Sequence, residues 1–282
     1  MICGIDTVQL FLDKDILEYL DLNNFEYVKK GSKAIASSGC RLIIRPHREN
    51  TLATIQETTN KIIEIEITYG CKAEINRIDL AFNSNIDLSK DRDRAYANYL
   101  MESIALKKDL NVFRTTRSNQ IGNIKVSSRY KEQTFYKCDD KDNRQALSRC
   151  EFRFKGLTVT NFKQIFLDKA EEVINLLYSV DDLNKELDEK LCSRTLEIFK
   201  KELENNEIVD FTNFLIKHRS KVLSRNQFNL MVHELDSSIR PDKFIRKWEK
   251  ITRGEKIYFI IKSEYKKMVS TMIKQLIEFK NS

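Results

Sequence analysis

Chain-breaking residues are scarce in this sequence, with two prolines and seven glycines in 282 residues. That scarcity, together with the absence of low-complexity stretches and repeats, excludes collagen-like, linker-rich and solenoid architectures. Histidine is scarce as well: His47, His218 and His233 lie far apart, with no His-x-His pair. The six cysteines (Cys3, Cys40, Cys71, Cys138, Cys150, Cys192) include no C-x-x-C pair, which argues against a zinc knuckle and a disulfide framework. Most are expected to be small buried hydrophobes in a reducing compartment. Any divalent metal would therefore rest on carboxylates, which favours Mg2+ or Mn2+ over zinc. Nowhere do eighteen apolar residues run together, and the opening MICGIDTVQLFLD has no basic leader before an apolar core. The expectation is a soluble cytoplasmic protein with no membrane partner.

Charge, by contrast, is abundant and uneven. The chain is 41% apolar and 32% charged, enough apolar material for one large domain or two moderate ones. Thirteen Lys or Arg against six Asp or Glu fall between Lys107 and Lys155, a surplus of seven. The whole chain also carries +7, so the remainder, with 36 of each sign, is neutral. A local basic field interleaved with Tyr130, Phe135, Tyr136, Phe152 and Phe154 suits a phosphate backbone with bases to stack. We read this segment as facing nucleic acid.

Periodicity divides the chain in two. Residues 3 to 12, Arg41 to Arg45, Ile62 to Thr68, Arg77 to Asn83 and Ile124 to Ser128 read as strands, with a short helix at Lys14 to Leu22 and a longer one at Ser89 to Leu106 capped by Ser89. From Thr160 onward apolar residues recur every three or four positions, predicting helices at Phe162 to Leu177, Leu183 to Leu203, Asp210 to Leu223, Arg225 to Leu235, Asp242 to Ile251 and Glu255 to Phe279. The fold class is therefore α+β: an antiparallel sheet with helices on one side over residues 1–157, then a helical domain over 158–282 for DNA binding or oligomerisation. Within the helical half, Ser224 to Ile251 reads as two short helices joined by SSIRP, the second carrying Lys243, Arg246, Lys247, Lys250 and then Arg253, an arrangement open to two readings, a helix-turn-helix or a solvated bundle helix.

The stretch Arg129 to Gly156 carries the chemistry. Glu132 to Cys138 and Ser148 to Phe154 form two alternating runs around the polar turn Asp139 to Arg144, a hairpin signature. Alternation puts Arg149, Glu151, Arg153 and Lys155 on one face, opposite Cys150, Phe152 and Phe154. Such a face is either a solvated sheet surface or a binding one. Glu66, Asp79, Tyr136 and Glu151 are expected on the outer face of the sheet, where three carboxylates together call for a neutralising cation. A phenol beside a metal or cations becomes a usable nucleophile; the alternatives are that Tyr136 is a packing aromatic, or that Tyr130, of the same parity, takes that part.

The ordered pieces IDTVQLFL near the start, E-I-T-Y-G at Glu66 to Gly70, N-R-I-D-L-A-F at Asn76 to Phe82, T-R-S at Thr116 to Ser118, F-Y-K at Phe135 to Lys137 and R-C-E-F-R-F at Arg149 to Phe154 resemble rolling-circle replication initiators. The likeness covers about residues 3 to 156 and is nearest to filamentous-phage gene II endonucleases and plasmid replication initiation factors. It implies a relaxase-like nicking domain that initiates rolling-circle replication through a 5′-phosphotyrosine intermediate. Tyr136 and Lys137 of the F-Y-K piece would be catalytic, and Asp79, Glu151 and Glu66 would hold Mg2+ or Mn2+. Arg77, Arg114, Arg117, Arg129, Arg149, Arg153, Lys243, Arg246 and Lys247 are the expected DNA contacts. Asn83 stands where many relatives carry a second acidic residue, and the paired histidines of the larger nicking superfamily are absent. The implied partners are single-stranded and supercoiled DNA at a replication origin, a second copy in a homodimer and a host helicase. A conjugative relaxase of the same chemistry and a non-catalytic DNA-binding replication regulator are the alternative functions.

Overall fold

In the computed structural model, residues 2–16, 19, 26–27, 39–44, 52–107, 112–114, 124–127, 131–137, 148–181, 185–217, 225–235, 240–251 and 259–281 are described. Their elements in chain order are β1 (Ile2–Leu12), β2 (Glu26–Tyr27), β3 (Cys40–Ile44), α1 (Ile55–Tyr69), β4 (Ala73–Ser84), α2 (Asp91–Lys107), β5 (Val112–Arg114), β6 (Ile124–Ser127), β7 (Lys131–Lys137) and β8 (Ser148–Val159). Helices follow at α3 (Phe162–Tyr178), α4 (Lys185–Glu204), α5 (Phe211–Lys217), α6 (Arg225–Leu235), α7 (Pro241–Ile251) and α8 (Lys262–Lys280). The architecture is α+β, as the order of segments predicts.

By its internal contacts the chain forms two compact units, Met1–Asn85 with Ser127–Leu176 and Thr271–Ser282, and Ile86–Val126 with Leu177–Ser270. The first unit holds the neighbouring strands β2-β3-β1-β4-β8-β7, all paired antiparallel. One face of these strands is apolar, with Ile78, Leu80 and Phe82 opposite Phe154, Phe152 and Cys150 across β4 and β8. Helical faces need a surface to cover, and α3 with the end of α8 stays in this unit: Phe166 meets Phe279 edge-on at 5.5 Å between centroids, and Lys169 Nζ lies 5.3 Å over the Phe154 ring. In the second unit, α2 is tied by the Tyr99 hydroxyl donating to Asp188 (3.2 Å) and by Tyr99 against Tyr265. A separate core there gathers Phe199, Phe211, Phe214, Phe228, Met231 and Val232.

Four segment readings need correction. Ile62 to Thr68 is not a strand but the C-terminal half of α1. Its buried residues Ile55, Thr58, Ile62 and Ile65 are spaced three and four apart; a capping box between Thr54 and Glu57 starts the helix, and Gly70, in the left-handed region at φ 57°, ends it. Lys14 to Ile16 are not helical, and most of that predicted helix lies outside the described residues. Ser89 does not cap α2, which starts at Asp91; its hydroxyl donates instead to Asp87. The last helix begins at Lys262, not Glu255, after Ile260 has entered a β-bridge conformation. The turn Asp139 to Arg144 lies outside the described residues, but β7 and β8 pair antiparallel as the hairpin reading requires.

Candidate functional site

Four of the six motif pieces fold onto adjacent strands. IDTVQLFL lies in β1, N-R-I-D-L-A-F in β4, R-C-E-F-R-F in β8 and F-Y-K in β7, in the spatial order β1-β4-β8-β7. E-I-T-Y-G closes α1 and leads into β4, and T-R-S lies outside the described residues. The register then fixes which residues share a face. Thr7 lies opposite Asp79 and Asp79 opposite Arg153; Ala81 lies opposite Glu151 and Asn83 opposite Arg149. On β7, position 136 is opposite Arg149, position 134 opposite Glu151 and position 132 opposite Arg153.

Side chains on that face form two linked sets of charge. Asp79, fully buried, accepts from Arg77 Nε (2.7 Å) and from Arg153 Nε (3.0 Å), and Arg77 Nη2 also reaches its second oxygen. Arg153 Nη2 donates in addition to Glu151 (3.3 Å). The second set centres on Arg149, also fully buried, whose Nε donates to Asn83 Oδ1 (2.8 Å) and whose Nη1 pairs with Asp6. Thr7 in turn donates to Asp6 (2.8 Å). Among the described residues, Arg149 Nη2 is buried with no hydrogen-bond partner. Burying this much charge is tolerable because each guanidinium faces a carboxylate.

Several expected site residues therefore stand apart from their assigned places. Glu66 is on α1, not on the sheet face, and its carboxylate accepts from the Ala73 backbone N–H (2.8 Å), which ties the helix end to β4. Arg149 is a buried structural cation rather than a surface contact, whereas Arg77 and Arg153 stay partly exposed. Lys137 is in register with Ser148, and Arg114 sits in β5 opposite Ile124. Arg117 and Arg129 lie outside the described residues. Lys243 and Arg246 are exposed on α7, and Lys247 shares that helix.

Asp79 and Glu151 were expected to hold a divalent ion. Among the described residues no group of three or more His, Cys, Asp or Glu is placed to do so. Both oxygens of Asp79 already face guanidinium groups, and a doubly charged cation would meet Arg77 and Arg153 within the same contact. In this arrangement the residues do not fit the ion. The cations that neutralise the carboxylates are the protein's own.

The sequence reading missed Asp6. It lies where the β1–β4 register shifts between Ile5 and Thr7, a bulge that places an extra residue against the partner strand. The available signal was an acid inside the IDTVQLFL piece. No thiol competes as a nucleophile on these strands, since burial pushes the Cys3 and Cys150 thiols far above their ordinary value of 9.0. Among the described residues no helix is long and apolar enough to cross a membrane.

Comparison with known proteins gives little beyond this. No family model matches the chain, and no curated protein does. A solved structure described as that of a rolling circle replication initiator protein from Geobacillus stearothermophilus is similar to it at 13% identity and a TM-score of 0.35, over 64% of this chain and 85% of that one.

Proposed function

We propose that this protein is a site-specific DNA nicking and joining enzyme that initiates rolling-circle replication, with Tyr136 as its nucleophile. The observation that carries the reading is the convergence of four motif pieces on the adjacent strands β1, β4, β8 and β7, with position 136 in register with Arg149. In the exchange, the tyrosine oxygen forms a bond to phosphorus and the phosphorus–O3′ bond breaks. The proton given up by the phenol is balanced by the one the released 3′ oxygen takes up, leaving a 5′-phosphotyrosine and a free 3′-hydroxyl. Arg77 and Arg153 are partly exposed beside Asp79, and in this reading they meet a phosphate and offset charge that builds on its oxygens. No step is assigned to Mg2+ or Mn2+, because Asp79 and Glu151 are held by arginines. Origin DNA, a homodimer and a host helicase belong to the same proposal.

A second reading has one observation in its favour. With Asp79 and Glu151 consumed in ion pairs, the sheet face supports a DNA-binding replication regulator that does not cleave. One experiment separates the two. Purified protein is incubated with supercoiled and single-stranded DNA from its own element, with and without magnesium or manganese, and any protein-linked DNA is located by denaturing gel and mass spectrometry. The nicking reading expects DNA attached at Tyr136 and a Tyr136→Phe protein that binds but does not cleave. Attachment at Tyr130 would sink the assignment of the nucleophile, and no cleavage of any origin-derived substrate would leave the regulator.

A further inference from the structure

We propose that α7 is a docking ridge for the sugar-phosphate backbone of duplex DNA, separate from the sheet face. Lys243, Arg246, Lys247 and Lys250 are spaced three, four and seven residues apart, which gathers them within an arc of about 100° on an α-helix. The first and last are about 10 Å apart along the axis. Lys243, Arg246 and Lys250 are exposed, and among the described residues none of their side chains takes part in an ion pair or hydrogen bond. Asp242 and Glu249, the acids of this helix, border the arc at its Arg246 edge, four and three residues from Arg246.

On three other helices a lysine pairs with an acid about one turn away. Lys61 pairs with Glu64 on α1, Lys169 with Glu172 on α3 and Lys274 with Glu278 on α8, all three or four residues apart. On α7 a spacing of four joins cation to cation twice, 243 to 247 and 246 to 250, and acid to base once, 242 to 246, a local excess of positive charge that a polyanion would offset. An ordinary solvated face alternates its signs.

The apolar side of α7 decides between polyanions. Phe244 packs against Phe211 (5.4 Å between centroids) and Phe228 (5.8 Å), and Ile245 joins the same core. A helix that lies on a membrane must give its apolar face to the lipid, and this face is already used. A nucleic acid asks only for the basic ridge, and a helix fits the major groove, which is about 12 Å wide. The proposal does not rest on the nicking reading, since it needs neither Tyr136 nor the carboxylates.

The test measures fluorescence anisotropy of a labelled mixed-sequence 30-base-pair duplex over a range of salt concentrations. The full-length chain carries Tyr136→Phe, so that cleavage cannot influence the signal. Replacing Lys243, Arg246, Lys247 and Lys250 by Gln is expected to weaken binding at least tenfold at about 0.1 M salt and to flatten the log–log salt slope by about 3 to 4 units. The same number of Gln substitutions on α8, at Lys262, Lys266, Lys267 and Lys274, should change either quantity far less. Replacing Lys243, Lys247 and Lys250 by Arg should retain binding, which rules out helix damage as the cause of a loss. Equal losses from the α7 and α8 sets, or no loss from the α7 set, would overturn the proposal. So would loss of binding to phosphatidylserine vesicles by the α7 set with duplex affinity unchanged.

Discussion

Replacing Asp6 by Asn should destabilise the protein more than any other isosteric change on the sheet face. Arg149 is fully buried, and among the described residues its guanidinium has one anionic partner, Asp6, with Asn83 as a neutral one. Removing one member of a buried pair leaves the other charge uncompensated, at about 3–5 kcal/mol. Coulomb's law gives a similar figure, about 4 kcal/mol for unit charges 4 Å apart at an effective dielectric constant near 20. The Asn amide still offers one acceptor to the guanidinium, so the lower end, about 3 kcal/mol, is the better expectation. For a chain of this size that corresponds to a fall in Tm of roughly 6–12 °C, read by circular dichroism. Arg149→Met together with Asp6→Asn removes both charges from the same region and should recover much of the loss, so the two changes are coupled rather than additive. A Tm within about 2 °C of the parent for Asp6→Asn, or a double variant equal to the sum of the singles, would refute the pairing argument.

Two further predictions concern the helices. Thr54→Ala removes the hydroxyl that accepts from the Glu57 backbone N–H (3.1 Å) and with it half of the capping box of α1. The expected loss is about 1 kcal/mol, measurable by chemical denaturation; no change would mean that tertiary packing alone fixes the start of the helix. In the second unit, the Tyr96 hydroxyl donates to Glu264 (2.6 Å), and that bond, followed by Arg92, holds the Glu264 carboxyl below its ordinary value of 4.5. A lowered folded-state pKa contributes stability above the unfolded value and loses it as pH falls through the folded one. Thermal unfolding followed from pH 7 down through the region below 4.5 should therefore lose less stability in Glu264→Gln than in the parent, and identical profiles would remove Glu264 as a contributor.

The alternating strands were readable from the sequence because each carries its own evidence. In β4 and β8, Ile78, Leu80 and Phe82 and then Cys150, Phe152 and Phe154 mark an apolar face by period two alone. The helices after residue 160 are marked in the same local way, by apolar spacing. Ile62 to Thr68 was misread because I-I-E-I-E-I-T satisfies both periods over seven residues. Its helical state is settled by Thr54 and Gly70, the two ends of a longer element outside that window.

The sequence by itself placed Asp79, Arg149, Glu151 and Arg153 on one sheet face, since that needs only alternation along each strand. It could not say that the arginines would take up the carboxylates. That outcome depends on the β4–β8 register, which sets Asp79 against Arg153 and Asn83 against Arg149, and register is a property of two strands together. Asp6 shows the same limit. Strict alternation would put it with the core residues Val8 and Leu10, and only the bulge against β4 turns its carboxylate to Arg149. Tertiary structure therefore decided the electrostatics of the face, because a charge acquires its partner from whichever strand lies beside it.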